Sequence, residues 1–171
     1  VISLQDDDFA LLGLPRRFQL DLTALDQRWK ELQRQTHPDR HAAQGAAAQR
    51  VAMQWSVRIN EAHQRLRDPV RRAAYLCELA GAPIQAERNT AMPADFLMQQ
   101  MQWREALEEA SDEPQVQALH DQVMQARQAA MQQLAQHLDQ QPNPQAASGT
   151  VRALMFIDKF AADVQDRLDS L

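Results

Sequence analysis

The sequence predicts an all-α protein, and three observations carry that prediction. Only four glycines occur in 171 residues, which leaves little material for tight hairpins. Ala, Gln, Leu and Met, all good helix formers, are abundant along the chain. Apolar residues also recur at steps of three and four almost throughout, the spacing of a buried helix face. The length suits one or two small domains.

The breaks between helices are readable in order. A short first helix covers about Asp8 to Leu12 and stops at Gly13, with Pro15 beyond. Asp21 reads as the N-cap of a second helix, whose Leu22, Leu25, Trp29 and Leu32 share a face. Pro38 ends it, because the ring disfavours helical geometry at His37. After a loop from about Asp39 to Gly45, Val51, Trp55, Ile59, Ala62 and Leu66 mark the core face of a third helix. Asp68-Pro69 starts a fourth segment, Val70 to Leu79, which Gly81 and Pro83 close. Residues 81–92 lack periodicity and read as a linker between a domain at 1–80 and one at 93–171. Three helices fit the latter, about Pro93 to Ala110, Pro114 to Leu138 and Ala146 to Leu171, making a three-helix bundle.

Composition narrows the function classes. The net charge of −5 argues against general nucleic-acid binding. The lone Cys77 forms no internal disulfide and builds no cysteine-based metal site, which suits a reducing compartment. No run of 18 apolar residues occurs, and the start of the chain is acidic at Asp6, Asp7 and Asp8, so neither a membrane span nor a secretory signal is expected. A cytoplasmic location is the resulting expectation. The first residue given is Val1 rather than Met, so residues can precede it.

His37-Pro38-Asp39 carries the strongest local signal. Its proline holds the loop off the helical path, leaving an imidazole and a carboxylate to face a partner. Asp39 can accept a bidentate arginine contact and His37 can donate or accept a hydrogen bond. Arg28, Lys30 and Arg34 on the preceding helix, with Arg40 after the motif, form a candidate basic patch that would steer an acidic surface. Asp26 and Glu31 dilute that patch, and a solvated mixed-charge face is the alternative.

Here the sequence resembles a J-domain. Beyond His37-Pro38-Asp39 it carries Asn60-Glu61-Ala62, Leu66, Asp68-Pro69, Arg72 and Tyr75, similar to that family's closing signature. The opening Phe9-Ala-Leu-Leu-Gly-Leu-Pro15 and Phe18-Gln-Leu-Asp21 look like the HscB subfamily, co-chaperones of iron–sulfur cluster assembly. The likeness continues through Phe96-Leu-Met98, Arg104-Glu105 and the run Arg152 to Lys159. Thr36 stands where many J-domains place an aromatic residue, and Trp29 where Tyr or Phe is common. No Cys-rich zinc module is present, as in the bacterial form. The resemblance implies a J-domain helical hairpin with short flanking helices, and a second domain that binds a scaffold. The implied partners are a DnaK-type (HscA-like) chaperone, whose ATPase it would stimulate through His37, Pro38, Asp39, Arg28, Lys30 and Arg34, and an IscU-like cluster scaffold.

The helix from Pro93 to Ala110 has two apolar faces. At about 100° per residue, Phe96, Trp103, Leu107 and Ala110 fall on one side and predict core, while Leu97, Met98 and Met101 fall opposite, continued by Glu105, Glu108 and Glu109. Phe156 lies about 100° off the Leu154–Ile157–Ala161 seam of the last helix. Cover by the J-domain or the linker is one explanation of the second face. The resemblance implies the other, a scaffold-binding surface of Leu97, Met98, Met101, Glu105, Glu109 and Phe156. Gln102 stands where relatives can carry an acidic residue.

An enzyme is not expected. His37 and His41 are separated by Pro38 and do not share a helix face, no H-E-x-x-H motif occurs, and no glycine-rich phosphate loop exists. No metal or cofactor is expected. A nucleic-acid adaptor would rest on Arg65, Arg67, Arg71 and Arg72, which lack interleaved aromatics. The remaining rival is a general J-domain co-chaperone that holds unfolded clients on the methionine-bearing face.

Overall fold

The structure, a computed structural model, describes residues Val1–Leu171. Seven α-helices and no strand appear: α1 Asp8–Leu11, α2 Leu22–Thr36, α3 Ala46–Arg67, α4 Pro69–Leu79, α5 Ala94–Glu109, α6 Glu113–Ala135 and α7 Pro144–Asp169. A 3₁₀ turn over Pro38–Gln44 occupies the expected loop after α2, and a π-turn over Gln136–Gln140 follows α6. The all-α expectation therefore holds. The chain divides into two compact units, Val1–Leu76 and Cys77–Leu171.

In the first unit, α1 starts on the Asp7 side chain, which accepts from the Ala10 amide. It ends at Gly13, whose φ of 65° suits a residue without a side chain, and the Leu14 amide reaches back to the Phe9 carbonyl. Asp21 caps α2 through the amides of Thr23 and Ala24, as the sequence indicates. α2 and α3 form an antiparallel hairpin around Leu25, Leu32, Ala52, Ile59, Ala62 and Leu66, all buried. Val51 departs from expectation: it is 52% exposed, because Ala52 occupies the core position at that turn of α3.

The residues of the closing signature prove to be fasteners. Asn60 Oδ1 accepts from Trp29 Nε1 at 2.9 Å and from Gln33 Nε2 at 2.6 Å, joining the two helices. Asp68 caps α4 through the amides of Val70 and Arg71. Buried Arg72 donates to the carbonyls of Phe18 and Leu66. Tyr75 Oη accepts from the Asp8 amide at 3.0 Å, and burial raises the pKa of its phenol. The Asp8 carboxylate is fully buried, 2.8 Å from Arg58 Nη1 and 2.6 Å from Arg65 Nε. Such a buried charge persists only because it is paired.

In the second unit, α6 and α7 pack antiparallel through Val116, Leu119, Val123 and Leu134 against Val151, Leu154, Ile157 and Val164. α5 adds Trp103, whose ring stacks on Phe160 at 5.8 Å and meets Phe96 edge-on at 5.9 Å. Residues 81–92 are not a free connector. Ala82 and Ile84 are buried, Ser148 Oγ donates to the Ala82 carbonyl, and Arg152 donates to the carbonyls of Ile84 at 3.0 Å and Ala91 at 2.9 Å. The segment is non-helical yet ordered because side chains of α7 satisfy its carbonyls.

Candidate functional site: a polar loop and an apolar helix face

His37 ends α2 in an extended conformation, φ −60° and ψ 131°, as expected for the residue before a proline. Its Nδ1 accepts from the Asp39 amide at 3.2 Å, so in this arrangement the neutral ring carries its proton on Nε2. The Arg40 amide closes the turn by donating to the His37 carbonyl at 3.0 Å. No residue from Pro38 to Gln44 is buried. The His37 side chain is 57% exposed and that of Asp39 is 92% exposed. The structure thus presents His37, Pro38 and Asp39 together at the tip of the hairpin, with the carboxylate turned to solvent.

The three basic residues do not form one patch. Lys30 and Arg34 lie about 40° apart on the outward face of α2, whereas Arg28 is about 120° from Arg34 and about 160° from Lys30. Arg28 instead lies beside the Gly13 turn and pairs with Glu31 at 3.3 Å. Deeper in the hairpin, Asp26 sits 2.8 Å from His63 Nε2 and within 2.7 Å of Arg67. The hydrogen bond from His63, with Arg67 beside it, holds the Asp26 carboxyl below its usual range.

On α5 the expected division of faces is present. Leu97, Met98 and Met101 are 51%, 65% and 73% exposed, while Trp103 is buried on the opposite side. Glu105, Glu108 and Glu109 are exposed along the same face. Phe96 and Leu107 are only half-buried, a correction to their expected place in the core. Phe156 is also half-buried: it meets Phe96 edge-on at 5.7 Å, stacks with Phe160 at 5.9 Å, and lies under the Arg104 guanidinium at 5.4 Å. It stands at the edge of the exposed face and also braces it. Met155, beside it in sequence and exposed, adds apolar surface that the seam pattern does not single out. Cys77 is buried, and burial raises the pKa of its thiol, which makes it a poor nucleophile.

A helical hairpin with an exposed His-Pro-Asp tip, carried in one chain with a three-helix bundle, defines the class of J-type co-chaperones. A family described as the HSCB C-terminal oligomerisation domain matches residues 92–165. A co-chaperone protein HscB homolog from Bordetella petrii is 50% identical over 93% of this chain and 94% of its own length. Its counterpart from Paraburkholderia phymatum is 48% identical over 99% and 98%. Chaperone HscB from Vibrio cholerae superposes with a TM-score of 0.80 at 34% identity, covering 96% of this chain and 99% of that one. Human co-chaperone protein HscB, 22% identical, shares the fold with a TM-score of 0.88 over 100% of this chain and 86% of its own. The chain belongs to the HscB family, the J-type co-chaperones of iron–sulfur cluster assembly.

Proposed function

We propose that the chain is a non-enzymatic cytoplasmic adaptor that delivers an IscU-like iron–sulfur scaffold to a DnaK-type (HscA-like) chaperone and stimulates that partner's ATP hydrolysis. The observation that carries this reading is the His37-Pro38-Asp39 tip, where a carboxylate 92% exposed stands at the end of the α2–α3 hairpin. An acceptor so placed suits a charge-assisted contact with a partner arginine. Lys30 and Arg34 face outward on the same helix and favour approach of an acidic chaperone surface. In the second unit, Leu97, Met98 and Met101 supply an apolar centre and Glu105 and Glu109 an acidic margin, with Phe156 at the edge. An apolar centre with a charged rim is the anatomy of a specific protein interface.

A general co-chaperone holding unfolded clients is the second reading, and exposed Met98 and Met101 on α5 favour it. The acidic row along the same face favours a folded partner of complementary charge. The test combines both halves. With a DnaK-type chaperone, Asp39→Asn should abolish ATPase stimulation while leaving the melting temperature unchanged, and stimulation at the wild-type level would overturn the reading. A folded scaffold should compete for α5, and a random unfolded peptide should not.

A further inference from the structure

No residue from Pro38 to Gln44 is buried, and Pro38 and His41 are half-buried, so polar ties contribute to the geometry of the His37-Pro38-Asp39 tip. The last carbonyls of α2 have no partner within the helix, and two loop residues reach back to them. Arg40 Nη1 approaches the Arg34 carbonyl at 3.4 Å, a long and exposed contact. His41 Nε2 meets the Gln35 carbonyl at 3.1 Å, and His41 Nδ1 meets Gln44 Oε1 at 3.2 Å. The His41 ring also lines a crevice of about 520 Å³ with Thr36, Val51, Ala52 and Trp55. Both contacts are exposed, and the His41 bond is the shorter of the two, 3.1 Å against 3.4 Å.

We propose that His41 is the positioning residue of the tip: by bonding to the end of α2 it fixes the turn that presents Asp39. This rests on the reading of Asp39 as the chaperone contact. The Gln35 carbonyl can only accept, so Nε2 is the donor in this bond. Gln44 adapts to the rest. Its oxygen accepts from a protonated Nδ1, and its amide, flipped, donates to a neutral one.

The test uses the full chain. His41→Ala should raise the amide exchange rates of Asp39 and Arg40 about tenfold, with the melting temperature within a degree or two of wild type. It should lower maximal stimulation of a DnaK-type ATPase about three- to tenfold, as for the loss of one hydrogen bond. His41→Gln, whose amide nitrogen is as far from Cβ as Nε2 is, should restore both. His41→Leu, which fills the crevice without a donor, should not. Unchanged exchange in His41→Ala, or full rescue by Leu, overturns the assignment. If the wild-type chain stimulates no ATPase, the chaperone reading fails while the exchange data still decide the role of His41.

Discussion

Replacing Leu97, Met98 and Met101 together with Ala should separate binding from folding. Fully burying a Leu or Met side chain is worth about 1.5–3 kcal/mol. These three are 51%, 65% and 73% exposed, so the folded chain realises from about half of that burial at Leu97 to about a quarter at Met101. Their combined truncation should cost about 2 kcal/mol, and the higher helix propensity of Ala returns a few tenths. At the centre of an interface the same atoms are desolvated, and each is worth on the order of 1–2 kcal/mol. A combined loss of about 3 kcal/mol corresponds to a hundredfold weaker complex. Calorimetric titration with an IscU-like scaffold gives the affinity, and urea denaturation gives the stability. Trp103→Ala is the reciprocal control: the ring is buried, so about 3–5 kcal/mol of stability should be lost. Phe96 serves less well because it is half-buried and touches Phe156. A triple variant that unfolds, or that binds scaffold normally, refutes the division of faces on α5.

Asp8→Ala should lower stability by about 3–5 kcal/mol in chemical denaturation, because Arg58 and Arg65 would lose their shared buried partner; an unchanged midpoint would show that the clasp contributes nothing. Lys30→Ala with Arg34→Ala should slow association with the chaperone and flatten its salt dependence, whereas Arg28→Ala should do neither. Stopped-flow binding across ionic strengths reads this, and an equal effect of Arg28 would contradict the two-faced geometry of α2.

Helix positions were legible because apolar spacing and caps are local signals. Asp21, Gly13 and Pro38 act in the structure as their residue types dictate. The same locality explains the misplacements. Val51 outranks Ala52 in hydrophobicity, but core membership follows the Ala52–Ile59–Ala62–Leu66 row, in which a small residue fills a close approach of helices. Segment 81–92 offers no period to read, and its order comes from Ser148 and Arg152, more than sixty positions away. The tip of the candidate site was visible as a tripeptide, whereas the Arg28 placement needed the helical angle rather than proximity in sequence. In the sequence His41 stands out only as the second half of a histidine pair broken by Pro38; its tie to Gln35 depends on how the turn folds back over α2.

Helix α1 is four residues long, far below the length at which a helix persists alone in water. It exists only while docked, holding Phe9, Leu11 and Leu12 in the core and Asp8 in its clasp. Peeling it away would expose three large apolar side chains, at about 1.5–3 kcal/mol each. Their sum is comparable with the entire 5–15 kcal/mol that holds a typical domain folded. A state with only α1 detached is thus scarcely more accessible than the unfolded chain, and no frayed intermediate should accumulate. The shortest helix makes unfolding of the first unit all-or-none.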